Sequence, residues 1–92
     1  MKELLPLGSV VTLNEGTKRL MIIGRLQRAC GTEDIYDYSA CIWPEGYLDS
    51  KHVYLFNQED IRCLYYVGLQ DVEEFQFRYV LEEEMNKQKA GH

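Results

Sequence analysis

The chain has 92 residues, a formal net charge of −5, and 46% hydrophobic and 12% aromatic residues. That length fits one domain, residues 1–92, with a modest core that can fold alone. The acidic balance argues against a nucleic-acid backbone or an anionic membrane surface as partner, and no apolar run is long enough to suggest a membrane span.

Residues 5–13 and 18–28 read as two strands, because Val, Ile and Thr suit a pleated surface. Asn14-Glu15-Gly16-Thr17 between them reads as the turn of a hairpin. Gly24 marks a bulge in the second strand. Residues 29–34 form a polar loop, and 35–43 read as a third strand whose odd positions are less apolar than its even ones. Pro44-Glu45-Gly46 ends it, since Pro lacks a ladder donor and Gly permits a positive φ. Residues 52–56 read as a fourth strand. Asn57 caps one short helical turn, and 61–68 read as a fifth strand stopped by Gly68.

Asp71 is a natural N-cap for a helix over about 71–88, with Glu73 and Glu74 in its first turn, where acids suit the helix dipole. The expected fold class is therefore α+β. A small, bent antiparallel sheet of about five strands (about 5–68), partly open and barrel-like, precedes the C-terminal helix. Alternation predicts Leu7, Val10, Leu20, Ile22 and Val53 inside, with Lys18, Arg19, Lys51 and Glu59 in water.

The helix carries two apolar stripes. Val72, Phe75 and Tyr79 cluster on one side; Phe77, Leu81 and Met85 cluster roughly opposite. One stripe is needed to dock on the sheet, and the expectation is that Val72, Phe75 and Tyr79 do so. Phe77, Leu81 and Met85 then face outward as a contact surface, with Tyr65 and Tyr66 as neighbours. The occupant is a hydrophobic or helical client, or a second copy of the chain in a homodimer. The strand carrying Tyr36, Tyr38 and Trp43 is the next candidate surface.

No constellation points to catalysis. Cys30, Cys41 and Cys63 are widely spaced, and neither His52 nor His92 completes a zinc pattern, so no metal is expected. The thiols read as packing residues of a reduced, cytoplasmic chain. A nucleophilic Cys41 would need a base such as His52 beside it, and the carboxylates are not paired by spacing. Gly8, Gly16 and Gly24 do not form a phosphate loop, and no cofactor is expected. His92, the last residue, is expected to be disordered.

The ordered set Leu5-Pro6-Leu7-Gly8-Ser9-Val10-Val11, Leu20-Met21-Ile22-Ile23-Gly24-Arg25, Tyr36-Asp37-Tyr38, Pro44-Glu45-Gly46, Tyr47, Phe56-Asn57, Asp60-Ile61 and the acidic helix from Asp71 resembles a known family. It comprises small proteins of Gram-positive bacteria catalogued as domain of unknown function 4176, and the resemblance runs from about Leu5 to Glu84. Its fold-defining positions correspond here to Pro6, Gly8, Gly24, Tyr36, Asp37, Tyr38, Pro44, Gly46, Asn57 and Asp60. The three cysteines lie outside the pattern.

The resemblance implies no enzyme and no catalytic residues. It implies genes placed at type VIIb secretion loci, beside LXG-domain toxins and small helical targeting proteins. The expected function is thus a non-enzymatic cytoplasmic accessory protein, a chaperone or adaptor that binds an LXG toxin before export. Two alternatives stay open. One is a small-molecule-binding barrel with Tyr36, Tyr38, Trp43 and His52 around its pocket. The other is an immunity protein that neutralises the toxin.

Overall fold

A computed structural model describes residues 3–90. The strands are β1 (Val10–Leu13), β2 (Leu20–Arg28), β3 (Ile35–Ile42), β4 (Val53–Phe56) and β5 (Ile61–Tyr66), followed by one helix, α1 (Val72–Ala90). All neighbours pair antiparallel in one open sheet of order β4-β3-β2-β1-β5. This is the α+β architecture the residue pattern predicts. His92 lies outside the described residues.

The first strand starts later than expected, at Val10 rather than residue 5. Residues 6–9 form a turn instead. Pro6 carries no N–H, Gly8 has φ +88°, and Ser9 donates from both N and Oγ to the Pro6 carbonyl at 3.3 and 2.7 Å. The turn throws Leu7 outward to 48% exposure, which corrects its assignment to the core. Leu20 and Ile22 lie in the core as expected; Val10 is buried and Val53 half-buried, but their register places both on the opposite face, outside the core cluster, which corrects their assignment. Lys18, Arg19, Lys51 and Glu59 are exposed.

The link between β4 and β5 sets the shape of the sheet. These strands are opposite edges, and flat spacing would hold them about 19 Å apart across four intervals. Only residues 57–60 connect them, and Gln58–Asp60 are a 3₁₀ turn, which advances about 2 Å per residue. The sheet must curl to bring its edges together.

Hydrogen bonds hold the link in place. Asp37 Oδ2 accepts from Gln58 N at 2.8 Å, and Asn57 Oδ1 accepts from Asp37 N at 3.1 Å. The Tyr38 hydroxyl donates to Gln58 Oε1. From just beyond β1, Asn14 donates through its N and Nδ2 to the Asp60 and Glu59 carbonyls. Asp60 Oδ2 accepts from Asn57 N at 2.9 Å, so the expected short turn after Asn57 is present. The concave face gathers Val11, Leu20, Ile22, Tyr38, Ala40 and Phe56 into the core. Residues 37–41 of β3 are all buried, so its expected alternation in polarity does not become alternation in burial.

The helix docks through the opposite stripe from the one expected. Leu81 and Met85 join the core at 7% and 9% exposure beside Leu4, and the void around them is only ≈ 10 Å³. Val72, Phe75, Tyr79 and Val80 face outward. An ion pair decides the matter. Arg25 on β2 grips Glu74 through two bonds, Nη1 to Oε2 at 2.6 Å and Nη2 to Oε1 at 2.8 Å. The side chains of this pair are 3% and 10% exposed. Arg78 donates to Glu74 Oε2 from the next turn at 2.8 Å and reaches Glu3 and Gln70. Glu74, Arg78, Leu81 and Met85 follow i, i+4, i+7, i+11 spacing, so anchoring Glu74 turns Leu81 and Met85 inward.

Arg25 reaches that side because of a bulge. The β2–β3 register shifts between Ile22 and Gly24, after which Arg25 pairs with Tyr38. Ile22 and Arg25 thereby share the core face, which strict alternation forbids for residues three apart. Leu26 follows at φ +52° and packs on the core as well. At the helix start, Glu74 N donates to Asp71 Oδ1 at 3.0 Å, as expected of an N-cap.

Two predictions follow from these contacts. The chain leaving β5 crosses the first turn so closely that a Cβ on Gly68 would lie 1.9 Å from the Leu7 carbonyl oxygen, whereas one on Gly16 meets nothing within 4 Å. Gly68→Ala should cost about 1–3 kcal/mol and Gly16→Ala less than about 0.5 in urea unfolding; equal effects would contradict the close crossing.

Arg25 lowers the Glu74 pKa chiefly by hydrogen bonding, against burial, which raises it, with help from Arg78. Its stabilisation is therefore complete above the ordinary glutamate value of about 4.3 and is lost as pH falls through the lower folded value. Glu74→Ala, which strands a buried guanidinium, should cost about 3–5 kcal/mol at neutral pH. Glu74→Gln should flatten the acid limb of the stability–pH curve. A loss no greater than that of exposed Glu83→Ala would show that the pair does not seat the helix.

Candidate functional site

The strands bring three of the expected aromatic residues together. Register places Tyr66, Val10, Met21, Cys41 and Val53 side by side across all five strands. Period-2 alternation puts this row on the face opposite Val11, Leu20 and Ile22. Over one end of the row lies an open groove of ≈ 360 Å³. Val10 and Met21 line it, together with Trp43, Tyr65, Tyr66 and Arg19. Gly8 contributes backbone at its rim.

A second bulge builds the aromatic wall. The β1–β5 register shifts between Val10, opposite Tyr66, and Val11, opposite Leu64. Tyr65 is the extra residue. In a regular strand Tyr65 and Tyr66 would point to opposite faces; here both border the groove. β5 is an edge strand, and residues 62–67 are exposed, with Tyr65 at 52% and Tyr66 at 63%. Trp43 comes from just beyond β3, where its N donates to the Arg19 carbonyl at 2.8 Å. That bond holds Trp43 beside the start of β2. The Arg19 guanidinium lies over the Tyr65 ring, 4.6 Å from its centroid, in cation–π geometry.

The charged residues next to Arg19 and Trp43 in the chain pair with each other outside the groove lining. Lys18 Nζ donates to both Glu45 oxygens, at 2.7 and 2.9 Å. The bond holds the Glu45 carboxyl below the usual range. Among the described residues no carboxylate pairs with Arg19. The rim therefore carries one surplus positive charge on a chain of net charge −5.

The remaining expected site residues lie elsewhere. Tyr38 is fully buried, accepting from Leu5 N at 2.8 Å and donating to Gln58, so it is a core residue and not a contact surface. Tyr36 is half-buried and does not line the groove. Leu81 and Met85 are core residues, which corrects their outward placement; Phe77 is half exposed, with the Arg25 guanidinium 5.5 Å from its ring centroid. The outward stripe is Val72, Phe75 and Tyr79. Sequence reasoning missed Arg19, Val10 and Met21 as groove residues. The only available hint was that Arg19 and Met21 flank Leu20 on a strand.

The groups weighed for chemistry are held in structural roles. Cys41 is fully buried, and His52 Nδ1 lies 2.7 Å from Asp49 Oδ1. Asp49 also accepts from Lys51 N and His52 N to cap a 3₁₀ turn, and its pKa is lowered, chiefly by the His52 bond. Among the described residues no group of three His, Cys, Asp or Glu could hold a metal ion, and no helix is long and apolar enough to cross a membrane.

The two kinds of tyrosine should separate by mutation. Tyr38→Phe should cost about 1 kcal/mol in urea unfolding, because it strands the Leu5 N–H and the Gln58 amide. Tyr66→Ala should change stability by less than about 0.5 kcal/mol, as at exposed sites generally. A Tyr66 effect as large as that of Tyr38 would mean that the groove is part of the folding core.

A family model described as a domain of unknown function (DUF4176) matches residues 4–77. No curated protein and no solved structure matches the chain. The matched span takes in all five strands, the Arg25–Glu74 pair and every residue of the groove. The chain belongs to the DUF4176 family.

Proposed function

We propose that this protein is a non-enzymatic accessory protein, a chaperone or adaptor that binds an LXG-type toxin in the cytoplasm before type VIIb secretion. The observation that carries the binding role is the groove. Three exposed aromatic residues and an arginine, the residue types enriched at interaction hot spots, surround an apolar floor on an edge of the sheet. Tyr65 and Tyr66 sit on a strand, and Arg19 and Trp43 flank strand ends joined by a backbone hydrogen bond, so little ordering is needed on binding. The choice of toxin as client rests on the resemblance to proteins found at secretion loci.

The non-enzymatic reading draws on the groove's lining, which carries no carboxylate, and on the carboxyls elsewhere in the chain. The carboxyls with displaced pKa values, Glu45, Asp49 and Glu74, all move down, each held by a cation or a histidine. A general acid needs the opposite shift.

A second reading is favoured by size alone. A hollow of ≈ 360 Å³ lies in the range of small-ligand sites, which supports a small-molecule binder using Trp43, Tyr65 and Tyr66. The immunity role uses the same kind of protein contact. It predicts protection of cells from the free toxic domain, whereas a chaperone acts on the client's folding or export.

Co-expression with an LXG toxin encoded beside this gene, followed by pull-down, tests the proposal. The toxin should be captured by the wild type. Trp43→Ala with Tyr65→Ala should weaken capture about tenfold or more, while the fold survives by circular dichroism. Phe75→Asp with Tyr79→Asp probes the outward helix stripe separately. Failure to capture the toxin, or capture untouched by the groove changes, would count against the groove as its seat.

A further inference from the structure

We infer that the groove selects a protein segment presenting a carboxylate beside a large apolar side chain, with Arg19 receiving the carboxylate. This rests on the reading of the groove as a protein-binding surface and names the chemistry of what enters it.

The argument is one of charge and shape together. The floor of Val10 and Met21 and the wall of Trp43, Tyr65 and Tyr66 offer apolar and aromatic area. Among these lining residues there is one ionised side chain, Arg19. Its guanidinium is laid over the Tyr65 ring, and its backbone is tied to Trp43 N. The cation–π contact holds the guanidinium beside the groove's aromatic wall, and its planar fork of N–H donors suits a carboxylate.

Glu45, two residues beyond Trp43, does not satisfy that fork, because both of its oxygens are on Lys18. The guanidinium thus has no carboxylate partner among the described residues, and an incoming acid is its natural complement. The apolar wall makes a bare anion a poor occupant. It buries nothing against Trp43 and Tyr66, whereas an acid flanked by Leu, Phe or Tyr fills both parts of the site.

This selectivity runs against the chain's overall charge. At −5, the protein as a whole attracts basic ligands. Screening over about 8 Å at physiological ionic strength lets the local cation govern within the groove. A preference for acidic segments would therefore come from this site and not from the mean field, which makes the effect diagnostic.

The experiment is selection of a phage-displayed library of random short peptides on the intact protein, at physiological salt. Wild type should enrich peptides with Asp or Glu next to an aromatic or aliphatic residue. Arg19→Gln should retain the apolar preference and lose the acidic one. Arg62→Gln, which removes an exposed cation of β5 outside the groove, should behave as wild type. A selected peptide should shift the Trp43 indole N–H resonance. Replacing its acid by Gln should weaken binding about fivefold to wild type and leave binding to Arg19→Gln unchanged.

Absence of acidic enrichment on wild type overturns the inference. So does the same enrichment on Arg19→Gln, or selected peptides that leave the Trp43 indole unmoved. If the toxin is captured through the groove yet peptides show no acidic preference, the charge assignment alone fails. If the acidic preference holds and no toxin is captured, the toxin-binding reading alone fails.

Discussion

Residues 57–60 carry the constraint on which the rest of the molecule depends. They join the two edges of a five-stranded sheet through a single 3₁₀ turn, so the sheet cannot lie flat. Asp37 and Tyr38 clamp this turn from β3, and Asn14 clamps it from just beyond β1. Curling gives the sheet a concave face that collects the core and a convex face whose central row remains partly covered. It also leaves β5 as an exposed edge beside that row. An antiparallel sheet with one wet face becomes a scaffold with a packed interior and a shaped exterior.

Two bulges then spend regularity on function and assembly. The one at Ile22/Gly24 turns Arg25 toward the core face, where it meets Glu74. The one at Tyr65 places adjacent tyrosines on one side of the sheet. Each breaks the rule that neighbours in a strand face opposite ways, and each re-aims a single side chain. The buried ion pair adds little net stability compared with a well-packed apolar pair, because desolvation opposes it. Its effect is selection. α1 has two stripes of similar apolar content, and only the one in line with Glu74 can satisfy Arg25. The same reasoning accounts for the outward Val72, Phe75 and Tyr79: they are left over from a choice made by charge.

The groove joins side chains from residues 10 to 66 of the chain. Its aromatic members sit on strands and a strand end, not on long loops, and Arg19 is fixed between Trp43 and Tyr65. Among the described residues, the groove lining holds no assembled acid–base pair. Membership of the DUF4176 family is consistent with that arrangement and assigns no activity to it.

Much of the fold was legible in the residues. β2, β3, β4 and β5 fall within two residues of the expected spans, the largest differences being that β2 starts at Leu20 rather than 18 and β5 ends at Tyr66 rather than 68. α1 starts at Val72 beside its expected cap, Asp71. These features depend on local causes: β-branched runs, Asn and Gly at turns, a cap and its acids. The turn at residues 6–9 was misread as strand because apolar content outweighed the Pro–Gly signal in the expectation. What the tertiary structure alone decided was facing. Which helix stripe docks, and which residues share the groove, depend on two bulges and on partners far apart in the chain, such as Arg25 with Glu74 and Val10 with Tyr66. Hydrophobic periodicity records which side chains avoid water. It does not record which of two apolar faces a buried charge will pull inward, because that choice belongs to a contact formed only when strand and helix meet.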